Sequence, residues 1–195
     1  MGEMKSAFEK AMEKVEKLEK ASPEELLRTK GVTAGNSHAA KYMSDPDYHL
    51  KDEMVGYSSE LMKYVCEGAE ETLLRSITLP QNQRAAQANK RAMQGLEALK
   101  KDKSKLKNVF SKVEQLCDYY EKARHHNYSE LKRFFQSRIE GMQKGVEGWE
   151  NISAEIEGHP QFQEEWRKVL NELNSQYGQV LSDHKQEIHN LPWIQ

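Results

Sequence analysis

Between residues 92 and 120 one set of apolar side chains falls at Leu96, Leu99, Leu106, Phe110, Val113, Cys117 and Tyr120. Lys103 stands at the one place where the alternation of three and four calls for another. That spacing keeps a single narrow seam on one side of an α-helix and cannot be laid on the two-residue period of a strand. The seam has to be narrow, because 31% of the chain is charged, only 37% is hydrophobic and the mean hydropathy is -0.91. A chain this polar buries a core only by concentrating its apolar residues on stripes. No segment shows the alternation of a half-buried strand, so the expected class is all-α: an elongated antiparallel bundle of long, coiled-coil-like helices with an N-terminal amphipathic arm.

The five prolines parse the chain, since proline fits the first turn of a helix and not its interior. Residues 4–20 carry Phe8, Met12, Val15 and Leu18 on one stripe among Glu/Lys pairs, an amphipathic arm that must dock on something. Ser22-Pro23-Glu24-Glu25 reads as a cap opening a short helix that stops at Gly31, and GVTAGNS (31–37) reads as a flexible linker. The organisation expected is an arm with its linker over 1–36 and a bundle over 37–195. Within the bundle, helices are expected over 46–78, 80–126, 128–157 and 161–190, the second of them roughly 70 Å long. A break near Asp102 is the alternative for that helix. The short connections predict antiparallel neighbours.

The stretch CDYYEKARHHNYSELKRFF (117–135) gathers ligand-type residues, and Glu121 and His125 share a helix face at the spacing of two metal ligands. A helical di-metal site needs Glu-x-x-His elements that the chain lacks, and the apolar phase turns Glu121 and His125 toward an edge. The favoured reading is a bend: basic residues in a last helical turn, with Asn127 as the stop. In DHKQEIH (183–189) the stripe points His184 inward with Glu187 beside it, and a hydrogen-bonded core histidine is favoured over a ligand. Three glycines in GMQKGVEGW (141–149) ask for close helix packing or room beside Trp149 and Trp166. With Tyr42, Tyr48, Tyr57 and Tyr64, these rings are the place to look for an aromatic-lined pocket.

From Arg84 to Lys112 there are nine basic residues against two acidic ones, a net of +7 that includes Arg84, Lys90, Arg91, Lys103 and Lys107. Such a stripe can track phosphates, yet rings for stacking are absent from it, and a solvated helix face is favoured over nucleic-acid binding. The global net charge of -2 adds no field toward nucleic acid or an anionic membrane. No run approaches the roughly 20 apolar residues of a membrane span. Two unpaired cysteines and the absence of an apolar leader in MGEMKSAFEK point to a reducing, cytoplasmic setting.

The opening KSAFEKAMEKVEKLEKASPEEL, with Ser44-Asp45-Pro46-Asp47 after it, resembles uncharacterised all-helical proteins of bacteria. That resemblance implies a cytoplasmic helical protein and carries over no catalytic residue. No phosphate loop, nucleophile elbow or Cys-x-x-Cys pair is present, and neither a cofactor nor a metal is expected. The function expected is a non-catalytic scaffold or interaction module whose partner is another protein or its own copy. The alternatives are a ligand- or metal-binding bundle using His184 and the aromatic lining, or nucleic-acid binding.

Overall fold

The computed structural model describes residues 22–142 and 156–194, which fold as α-helices without a strand; one isolated bridge joins Lys100 to Trp193. The helices are α1 (Pro23–Ser44), α2 (Leu50–Glu53), α3 (Ser59–Ser76), α4 (Gln83–Leu99), α5 (Lys103–Met142) and α6 (Pro160–His189). The all-α class read from the periodicity is the class observed. The described residues divide into two compact units: 22–77, 90–101 and 192–194 form the first, and 78–89, 102–142 and 156–191 the second. The boundary expected at 36 falls inside α1, and the expected arm lies outside the described residues.

In the first unit, α1 opens as its sequence predicts. Ser22 Oγ accepts from Glu25 N at 3.2 Å, Glu25 Oε2 accepts from Ser22 N at 2.7 Å, and Pro23 occupies the first turn. The helix then passes straight through GVTAGNS, which corrects the reading of that stretch as a linker. A Cβ added at Gly35 would lie 2.0 Å from the Val65 carbonyl oxygen, and one added at Gly68 would lie 2.1 Å from that of Val32. These glycines let α1 and α3 meet backbone to backbone, and the close packing outweighs the roughly 1 kcal/mol each costs in helix propensity. Glu24 pairs with Tyr64, Arg28 with Glu67 and Asn36 with Thr72, so residue numbers rise together along both helices. The two helices therefore run parallel.

Parallel neighbours require a return segment, and this explains why the helix expected over 46–78 is interrupted. Residues 45–58, including the short α2, bring the chain back so that α3 can start beside the first turns of α1. The expected 80–126 helix is also divided. It breaks at 100–102, the alternative position, where Asp102 Oδ1 accepts from Lys105 N at 3.0 Å to open α5.

In the second unit, α5 continues through the expected bend at Asn127 for 40 residues, about 60 Å at the usual rise. Asn127 does not stop it; its Nδ2 donates to the Ala123 carbonyl one turn back at 2.7 Å. α6 packs antiparallel on α5, as the pairs Lys112–Glu187, Tyr120–Asn174 and Tyr128–Trp166 show. His159 caps α6 through Nδ1, which accepts from Gln161 N at 3.3 Å, and Pro160 takes the first turn. One end of this hairpin is sealed by Phe135, Ile156 and Phe162, all buried, with Tyr128, Leu131 and Trp166 packed around them.

Candidate functional site

In the first unit the chain buries an ion pair that the sequence did not announce. Glu70 on α3 meets Lys100 at 2.8 Å with both side chains at most 1% exposed. Trp193 donates its indole N–H to the other Glu70 oxygen and lies 5.4 Å from Lys100 Nζ, ring centroid to nitrogen. Two backbone hydrogen bonds hold the tail in place, Lys101 N to Pro192 O and Ile194 N to Leu99 O, each 2.9 Å. Burial pushes the Lys100 amine below its ordinary pKa, and Glu70 opposes that push. Beside this cluster a cleft of 740 Å³ is lined by Tyr57, Met62, Lys63, Cys66, Trp193 and Ile194, among others. The Cys66 thiol is pushed up to about 11, chiefly by burial, and is therefore protonated at neutral pH and a poor nucleophile.

The tyrosines flagged from the sequence are largely bound up in ring contacts. His38 holds one hydroxyl at each ring nitrogen, Tyr48 at Nδ1 and Tyr57 at Nε2, the latter at 2.7 Å. Burial, then Lys41, lowers the His38 pKa, so the imidazole stays neutral, with one nitrogen donating and the other accepting. Tyr42 lies under the Arg91 guanidinium at 4.4 Å, and Tyr64 donates to Glu24 at 3.1 Å. Of the residues expected to line one pocket, Tyr57 borders this cleft, Tyr64 is buried, and Trp166 belongs to a cleft in the other unit. Trp149 and the arm residues Phe8, Met12, Val15 and Leu18 lie outside the described residues.

The second cleft has a volume of 1020 Å³ and lies between the residues that open α4 and the middle of α5. Gln81, Asn82, Gln83 and Ala86 form one wall; Glu121, Lys122, Arg124, His125 and Tyr128 form the other, with Trp166 at its end. Arg124 ties the walls together, donating through Nη1 to the Gln81 carbonyl at 2.7 Å. Asn82 Oδ1 caps α4 by accepting from Ala85 N at 2.9 Å, and the buried Asn89 engages both backbone polar groups of Thr78. Glu121 and His125 are exposed and stand on the rim of this cleft, on an unbroken helix.

His184 is half-buried, with Nδ1 3.1 Å from Glu187, which in turn meets Lys112 at 2.9 Å. Hydrogen bonds from Lys112 and then His184 hold the Glu187 carboxyl below its usual pKa. Among the described residues no three His, Cys, Asp or Glu side chains are grouped closely enough to hold a metal ion. The basic residues of 84–112 are spent separately. Arg91 donates to the carbonyls of Tyr42 and Asp45 at the end of α1, and Lys100 is buried on Glu70. Lys105 reaches Asp102, and Lys112 reaches Glu187, while Arg84, Lys90, Lys103 and Lys107 are exposed. The sequence carried no signal for the Glu70–Lys100–Trp193 cluster, because its members are brought together from 30 to 123 positions apart.

No described helix is long and apolar enough to cross a membrane. No curated protein and no solved structure matches the chain. Residues 51–190 match a family of unknown function, a span that holds α3 to α6 and every residue lining the second cleft, and that lies downstream of the N-terminal residues carrying the bacterial likeness. On that match, the chain belongs to the family of unknown function DUF6657.

Proposed function

We propose that the protein is a non-catalytic helical interaction module that pairs with a second copy of itself along the outer face of α5. The observation that carries this reading is that Tyr119 and Phe134 leave 61% and 58% of their surface exposed, on a helix whose opposite face is already packed. Aromatic side chains dominate interface energetics, so two large exposed rings on one helix face support reading it as a contact surface.

The outer face is exposed at Gln115, Tyr119, Lys122, His126, Glu130, Arg133 and Ser137, spaced three and four apart. A second α5 laid antiparallel about His126 sets Tyr119 level with Arg133 and Asp118 level with Phe134, so that each ring lies one position from the other ring and each charge one position from the opposite charge. The face is thus self-complementary, as a two-fold contact requires. Burying the rings contributes about 1.5–3 kcal/mol each, while exposed ion pairs contribute about 0–1 kcal/mol, so the rings supply affinity and the charges set the register.

Sedimentation equilibrium on the full chain tests this. A dimer is expected, weakened by about tenfold or more in Phe134→Ser. Asp118→Arg alone should weaken it, and Asp118→Arg with Arg133→Asp should restore it. A monomeric wild-type chain, or a double variant no tighter than the single one, overturns the reading. Deleting residues 1–20 in the same assay measures what Phe8, Met12, Val15 and Leu18 add.

A further inference from the structure

We infer that the cleft in the second unit binds a small planar aromatic anion, with the ring against Trp166 and Tyr128 and the anionic group toward Arg124 and His125. The cavity, at 1020 Å³, is at the upper end of what small-molecule sites usually offer. Its aromatic end is held in place from behind. Tyr128 meets Trp166 edge-on at 5.0 Å and Phe162 edge-on at 5.7 Å, and Phe162 is buried, so these rings are positioned before any ligand arrives.

The charge on the walls is one-sided. Arg124 and His125 face the cleft with Lys122 at its outer rim, and Glu121 is the acidic residue among those lining it. Arg124 spends one N–H on the Gln81 carbonyl, which fixes the plane of its guanidinium, and a guanidinium carries further donors in the same fork for a carboxylate or phosphate. Each simpler ligand leaves part of this lining unused. A cation meets the basic side chains, a bare inorganic anion makes no use of the rings, and a neutral ring makes no use of the guanidinium. A ring bearing an anion satisfies both ends. Nucleoside monophosphates and aryl carboxylates share that chemistry.

Isothermal titration calorimetry on the full chain separates these cases, with adenosine monophosphate, indole-3-acetate, adenosine and inorganic phosphate as probes. One of the two ring anions is expected to bind with one-to-one stoichiometry, adenosine and inorganic phosphate more weakly by about tenfold or more. Which ring anion binds tells the phosphate source from the carboxylate source. Arg124→Gln should weaken that probe by about tenfold. Because Arg124 also holds Gln81, His125→Gln at an exposed position is the second variant. It should weaken binding by about threefold while leaving the thermal melt unchanged. The inference is overturned if neither ring anion binds, if adenosine binds as tightly as the monophosphate, or if both variants bind like the wild type.

Discussion

The two helix pairs at the heart of this protein, α1 with α3 and α5 with α6, solve the same problem by opposite means. α1 and α3 run parallel and touch through glycines, their backbones so close that a methyl group at Gly35 would collide with a carbonyl. α5 and α6 run antiparallel, held apart by rings: Tyr120 edge-on to Tyr177 at 5.5 Å, Phe135 to Phe162 at 5.5 Å, Tyr128 to Trp166 at 5.0 Å. The first contact is filled by main chain and the second by side chains. It follows that the first should be intolerant of added volume and the second of lost volume. The polar groups differ in the same way. The first unit buries a complete ion pair, whereas the Lys112–Glu187 pair across α5 and α6 is exposed.

The largest expected effect tests that polar contrast. Glu70→Gln leaves the Lys100 charge buried beside a neutral amide and should cost about 3–5 kcal/mol in urea unfolding followed by circular dichroism. Replacing both Glu70 and Lys100 by Met should recover most of that loss; a double variant as unstable as the single one would show that the pair contributes more than its charge balance. In the second unit, Phe162→Ala empties the sealed end of the hairpin and should cost about 3–5 kcal/mol. A loss below about 1 kcal/mol would mean that the rings of this hairpin pack no better than surface groups.

One substitution made in both units sharpens the comparison further. Gly35→Ala should destabilise by about 3 kcal/mol, because the obstruction is backbone and cannot rotate away. Gly178→Ala on α6, where an added Cβ meets nothing within 4 Å, should stabilise by about 1 kcal/mol through helix propensity. If the two variants melt alike, the distinction between main-chain and side-chain contacts fails.

An effect absent at neutral pH appears in the alkaline limb. Burial, the leading cause in each case, raises the pKa of Cys66 and of Cys117 to about 11. The folded state therefore holds thiol protons that the unfolded chain releases from its ordinary value upward, so this contribution to stability is complete below the unfolded pKa and is lost as pH rises toward 11. Cys66→Ala with Cys117→Ala should show a shallower decline over that window than the wild type, measured by urea midpoints, and an identical slope would place the thiols in water.

How much of this could be read from the residues depended on whether a signal was local. The all-α class, the capped start at Ser22-Pro23, the run of α6 from Pro160 and the inward Val113 and Tyr120 were legible, since caps and apolar phase act within a few residues. The ends of the other helices were not. Asn127 and the glycines of GVTAGNS have the residue types that end helices, yet each sits inside one. Of the candidate site, the sequence named Glu121, His125 and Trp166 but saw a corner; it did not supply Arg124's tie to Gln81, a contact 43 positions long.

The amino-acid sequence by itself determined that this protein is built of amphipathic helices, because a chain so polar can bury a core only along stripes, and the spacing of the stripes admits no other element. Only the tertiary structure decided where those helices break and which of them meet. A stop signal is worth about 1 kcal/mol, and the packing of α3 on Gly35, or of Glu70 and Trp193 on Lys100, outweighs it.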